Sequence, residues 1–152
     1  MTGNPKLIEL NIPLEVSDGW PPVATEALPC SKIGDGYRVE VAPLFVRGLS
    51  YGDVISVVKD GNDQVSEWKH VWKSKNTTIW FMRLAQENEL EKALGALRAL
   101  NCNTVAFRQY DYFSVNVPES CSLDDVDACI ADLDDSCVAV VFPSLRHDEN
   151  SE

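Results

Sequence analysis

The sequence predicts an α+β protein, with an N-terminal small β-barrel-like half followed by a ferredoxin-like split β-α-β half. Three observations predict it. Residues 7–72 carry short apolar or alternating runs closed by Gly, Pro, Asp and Asn, the pattern of several strands at barrel-like spacing. After residue 76 the period changes, and the stretches 88–100 and 122–133 set apolar residues three and four apart, as helices do. Strand-like runs precede, separate and follow those two, in the order strand, helix, strand, strand, helix, strand. The expected domains are 1–76, mainly β; 77–146, the ferredoxin-like half; and 147–152, a polar tail that frays.

Taken in order, Leu7 to Ile12 is mostly apolar and stops at Pro13. Gly34-Asp35-Gly36 reads as a tight turn, and Tyr37, Val39 and Val41 alternate with Arg38 and Glu40 as a half-buried strand. Val54 to Val58 is a compact apolar strand closed by Asp60-Gly61-Asn62-Asp63. Val65 to Trp72 alternates again, with Trp68, His70 and Trp72 on one face. Thr77 to Leu84 is rich in β-branched and aromatic residues, which suits a strand. Asn88 and Glu91 form a capping box for a helix whose stripe is Leu90, Ala93, Leu94, Leu97 and Leu100. Thr104 to Val117 is long enough for two strands with a turn near Gln109 to Asp111. Ser122, with Asp125 three residues on, caps a second helix with the stripe Leu123, Val126, Ile130 and Leu133. Cys137 to Phe142 closes as a buried strand.

Charge is uneven. The chain has a net charge of −11, and between Glu119 and Asp135 it places seven carboxylates with no Lys or Arg: Glu119, Asp124, Asp125, Asp127, Asp132, Asp134 and Asp135. Such a field repels nucleic-acid phosphates and anionic lipid and attracts cations, so neither nucleic acid nor a membrane is an expected partner. The 45% apolar content and four Trp argue against a disordered acidic chain. No apolar run approaches the length of a membrane helix, and the first residues lack a secretion-signal pattern. Cys30, Cys102, Cys121, Cys129 and Cys137 are odd in number and form no C-x-x-C pair, which suits free thiols in a reducing cytoplasm.

Candidate sites follow from residue type. The acidic stretch has no glycine at the centre of an EF-hand-like spacing, and the cysteines lack zinc-ligand spacing, so no metal or cofactor is expected. It reads instead as a surface that recruits a basic partner: Asp124, Asp127, Asp132, Asp134 and Asp135 supply charge, and Tyr110 and Tyr112 supply aromatic anchors. A second candidate is a ligand pocket of Trp20, Arg47 and Tyr51 around the turn bracketed by Gly48 and Gly52. The competing reading of that segment is a structural corner in which Asp53 accepts backbone hydrogen bonds. Cys30 and His70 are the residue types of a nucleophilic pair, but nothing near Cys30 in sequence resembles an activated nucleophile, and no catalytic residue is assigned.

The segments Val16-x-Asp18-Gly19-Trp20-Pro21-Pro22, Glu26-x-Leu28 and Pro43-x-Phe45-Val46-Arg47-Gly48-Leu49-Ser50-Tyr51-Gly52-Asp53-Val54 resemble a family of small bacterial proteins classified as a domain of unknown function. The resemblance implies a bacterial source and a split β-α-β second half. It brings no catalytic residues, and the acid density of 119–135 departs from it.

Size, acidity and the missing catalytic signature together lead to the expectation of a cytoplasmic inhibitor. It would be an immunity protein that neutralises a basic bacterial toxin such as a nuclease, rather than an enzyme. The alternative is a small-molecule or nucleotide-binding regulatory module without catalysis.

Overall fold

Inward-facing positions two apart build the first sheet. The computed structural model describes residues 7–147, and these fall into two units, the first running to Ser74 and the second starting at Lys75. Residues 1–6 and most of the expected tail, 148–152, lie outside the described range.

The first unit is an antiparallel meander of β1 (Leu7–Pro13), β2 (Thr25–Ile33), β3 (Gly36–Val39), β4 (Val54–Lys59) and β5 (Val65–Trp72), paired in chain order. Alternate residues Leu10 and Ile12 of β1, Leu28 and Cys30 of β2, Val39 and Ile55 point into one core. Val46 and Leu49 enter it from the loop between β3 and β4, and Val65 enters from β5. Each fully buried aliphatic side chain here contributes on the order of 2 kcal/mol.

In the second unit β6 (Thr77–Arg83) is followed by α1 (Glu89–Ala99) and β7 (Asn103–Phe107). A 3-10 turn, Arg108–Tyr110, then leads to β8 (Tyr112–Val117), α2 (Leu123–Ile130) and β9 (Val138–Ser144). The sheet order is β7-β8-β6-β9, all antiparallel. Its core joins Ile79, Phe81, Val115, Val117 and Val138 of the sheet to Leu90, Leu94 and Leu97 of α1 and Val126 of α2.

The fold class expected from sequence needs correction. Among the described residues strand accounts for 44% and helix for 16%. The chain is predominantly antiparallel β with two sheets and two helices, not an α+β protein with a ferredoxin-like half. Two physical causes shift the balance. The segment Thr25–Ile33, which carries no clean alternation, pairs with β1 from Thr25 to Ser31. The acidic run makes less helix than its stripe suggested: α2 stops at Ile130 with no basic residue in its last turn. Carboxylates beyond that end sit against the negative pole of the helix dipole and oppose elongation. The first half is likewise no closed barrel, because β1 and β5 are not paired as strands, the isolated bridge Asn11–Gln64 being the backbone link between those edges among the described residues.

Local expectations changed as well. Asn88 and Ser122 occupy the N-cap positions, but neither side chain makes a capping bond. Glu87 does that work for α1, its carboxylate accepting the Leu90 N–H at 2.9 Å. In β5 the register shifts so that Val54 faces Trp72 while Ile55 faces His70, which leaves Val71 as an extra residue. The alternation breaks there, and Trp72 leaves the Trp68–His70 face to become 59% exposed. His147 is not frayed. Its Nδ1 lies 2.7 Å from Thr77 Oγ1, and its Nε2 lies 3.0 Å from the carbonyls of Pro118 and Cys121. No helix among the described residues is long and apolar enough to cross a membrane.

Candidate functional site

The acidic stretch begins where β8 ends and closes where β9 begins. Val126 is fully buried, while Leu123, Ile130 and Leu133 pack half-buried against the core of the second unit. That stripe anchors the segment by one side, and Glu119, Asp124, Asp125, Asp127, Asp132, Asp134 and Asp135 are all exposed on the other. Among the described residues none of the seven forms an ion pair. Asp134 differs from the rest. Its Oδ1 accepts the Ser136 N–H at 3.0 Å and the Ser136 hydroxyl at 2.9 Å, which holds its carboxyl below the usual range. Its own carbonyl accepts from Cys137 and Val138, so Asp134 shapes the turn into β9.

The same end of the sheet carries a second charge cluster. Cys137 O accepts the Leu84 N–H at 2.7 Å, which ties the turn after α2 to the end of β6. Beside Leu84, Arg83 is only 14% exposed and holds three carboxylates: Glu87 at 2.9 Å, Asp111 at 3.1 Å, and Glu91. The guanidinium at this end is thus occupied internally. Hydrogen bonding to Arg83 lowers the Glu87 pKa from its ordinary 4.5. A depressed folded pKa contributes stability that is present above the unfolded value and lost as pH falls through the folded one. Urea denaturation of Arg83→Met against wild type should therefore show a small loss of stability at neutral pH, a screened, partly exposed pair being worth little. That difference should shrink below pH 4.5; a constant gap across pH would show that Arg83 acts by packing alone.

The aromatic anchors separate. Tyr110 is 41% exposed, edge-on to Phe107 at 5.6 Å. Tyr112 is 4% exposed and lies against Trp80 at 6.2 Å, so it offers no area to a partner. The expectation for Tyr112 fails because it occupies the first position of β8, where its side chain turns inward.

In the first unit Trp20 packs edge-on to Phe45 at 5.8 Å. Arg47 stands exposed on the loop that follows, and Tyr51 is half-buried. Two carboxylates hold this loop. Glu26 accepts backbone N–H bonds from Leu44, Phe45 and Val46 at 2.7, 2.9 and 3.0 Å. Burial raises its pKa, with the three donors working in the opposite direction. Asp53, fully buried, accepts from the N–H of Ser50 at 3.0 Å and of Ser74 at 2.8 Å, and lies 2.9 Å from His70 Nε2. Gly48 and Gly52 take φ of +82° and +89°, a left-handed backbone that glycine adopts without a Cβ clash. Sequence reading reached the role of Asp53, but took Glu26 only as part of the family resemblance and not as a loop anchor. The available signal was its position: Glu26, Leu28 and Cys30 share the inward side of β2, where an acid needs donors.

The thiol candidates are buried rather than activated. Burial, with the charge of Glu40, pushes the Cys30 thiol up to about 12, and His70 bonds to Asp53. Among the described residues no group of three or more His, Cys, Asp or Glu is placed to hold a metal.

Residues 26–140 match the family described as Domain of unknown function (DUF4265). The chain belongs to that family. The DUF4265 match takes in Glu26, the loop it holds, and the whole acidic stretch, while Trp20 precedes it. A crystal structure of a hypothetical protein from Neisseria gonorrhoeae aligns with a TM-score of 0.75 at 17% identity, covering 95% of this chain and 99% of that one. At that identity the likeness shows a shared fold alone. No curated protein matches the chain.

Proposed function

We propose that this DUF4265 protein is a cytoplasmic inhibitor that docks a basic protein, acting as an immunity protein against a bacterial toxin such as a nuclease. One observation carries the reading: seven exposed carboxylates in one stretch, with no ion-pair partner among the described residues. Ordinary exposed helices mix charge signs for support between neighbouring turns, and like-charge crowding destabilises them. A face that keeps only one sign suits attraction of the opposite sign, and a nuclease cleft shaped for phosphate is strongly cationic. Asp124, Asp127, Asp132 and Asp135 provide the charge, with Tyr110 as a neighbouring aromatic on the same unit. Asp134 serves the turn first. The segments Asp18–Pro22 and Phe45–Asp53 we take as distinguishing features of the family. The second of them keeps its geometry through Glu26 and Asp53.

The test is affinity capture of bound proteins from the native bacterium at low and high salt. A basic toxin domain, recovered at low salt, released at high salt and inhibited by the purified chain, is the expected result. A recovered toxin that stays fully active under saturating chain, or capture restricted to salt-insensitive partners, overturns the reading.

A further inference from the structure

β5 is the terminal strand of the first sheet, with β4 on one side. On its other side, among the described residues, no strand pairs with it: β1 comes nearest, at the Asn11–Gln64 bridge just before β5 and at Ile12 and Pro13, which border Val65 to Trp68. From Ser66 to Trp72 every residue is exposed or half-buried. Val71 and Trp72 are 64% and 59% exposed. A hollow of about 270 Å³ lies over the paired strands β4 and β5, lined by Ser56, Val58, Glu67, Trp68 and Lys69. Unpaired strand edges recruit other strands unless a proline, a covering element or an unfavourable charge prevents it. β5 has no proline, and its charges are one Glu and one Lys, two residues apart on the same face.

We propose that β5 pairs antiparallel with β5 of a second copy of this chain, in a register centred on Trp68. In an antiparallel pair, residues directly opposite each other must both direct their backbone groups toward the partner or both away from it. A two-fold pairing of identical strands is therefore centred on a residue, which restricts the choices. Centring on Glu67 sets Glu67 against Glu67 of the second copy; centring on Lys69 sets Lys69 against Lys69. Both are destabilising. Centring on Trp68 sets Glu67 opposite Lys69 of the second copy, twice by symmetry, with Trp68 opposite Trp68. The charge pattern is complementary to itself in that register. The extra residue at Val71 and the irregularity between Val58 and Lys59 bound the stretch, so the joined segment is short. A contact of that size is weak, with a dissociation constant on the order of 100 µM.

Sedimentation equilibrium of the full chain from about 10 µM to 1 mM at physiological ionic strength, which screens the net repulsion between copies, tests the pairing. A monomer–dimer equilibrium is expected. Glu67→Lys and Lys69→Glu each set two like-charge pairs across the interface and weaken the dimer about tenfold. The double variant E67K/K69E restores opposite charges and returns the dissociation constant to within about threefold of wild type. Both positions are exposed, so the variants retain the fold, which amide circular dichroism checks. A chain that stays monomeric throughout, as an edge reserved for a strand of another protein does, overturns the proposal. So does a dimer indifferent to both single variants, or one that the double variant fails to restore.

Discussion

Glu26→Ala is expected to lower the stability of the first unit by about 3 kcal/mol, the size of loss that follows when buried donors lose a charged acceptor. The carboxylate takes N–H groups from three consecutive residues, Leu44, Phe45 and Val46. Val46 is buried and cannot turn to water, while Leu44 and Phe45 are half-buried and recover part of their bonds by hydration. The loss is therefore smaller than three full desolvation penalties and larger than one. Val46 and Leu49 sit in the core on this loop, so releasing it also loosens their packing. Glu26→Gln retains an oxygen for Phe45 and Val46 but presents an amide to one donor, and its cost should be about half as large. Urea denaturation monitored by tryptophan fluorescence measures both. A Glu26→Ala loss under about 0.5 kcal/mol, the range of an ordinary surface change, would show that the loop holds itself.

Reversing Asp127, Asp132 and Asp135 to Lys is expected to weaken binding of a basic toxin at least 100-fold at low salt, a gap that should narrow as salt rises and screens the charges. The three positions are exposed and make no ion pair among the described residues, so relief of mutual repulsion should leave the melting temperature unchanged or slightly raised. Asp134 is left in place because it holds Ser136 and the turn into β9. Calorimetric titration at several salt concentrations, paired with a protection assay in cells that make the toxin, gives the readout. Full protection by the reversed chain removes this face from the mechanism.

Much of the second unit was legible because its signals are local. Leu90, Leu94 and Leu97 recur at helical spacing and are buried as that spacing requires, and Val126 anchors α2 in the same way. The acids of 119–135 could be read as outward-facing because the apolar stripe claims the other side. The helix length could not be read from the stripe, since the dipole and the Asp134 turn end α2 before Leu133. In the first unit β2 was hidden by Pro29, which normally argues against a central strand. Here β3 pairs only with Cys30 to Ile33, so the missing N–H falls where that ladder has ended, and the Pro29 carbonyl still accepts the Glu40 N–H at 3.0 Å. The fold-class error follows from these two misreadings. The anchoring role of Glu26 escaped notice for a related reason: its donors lie eighteen to twenty residues away, and no local pattern announces them.

The two sheet orders set different timetables for a chain leaving the ribosome. In the meander from β1 to β5 each strand pairs with the one just made, so the first unit can close as soon as Trp72 and Ser74 emerge. The second cannot. β6 is made first yet lies between β8 and β9, so its sheet stays incomplete until the last strand is synthesised. For most of its synthesis the acidic stretch therefore belongs to an unfinished structure, and loss of residues from Val138 onward should cost the second unit its fold while sparing the first.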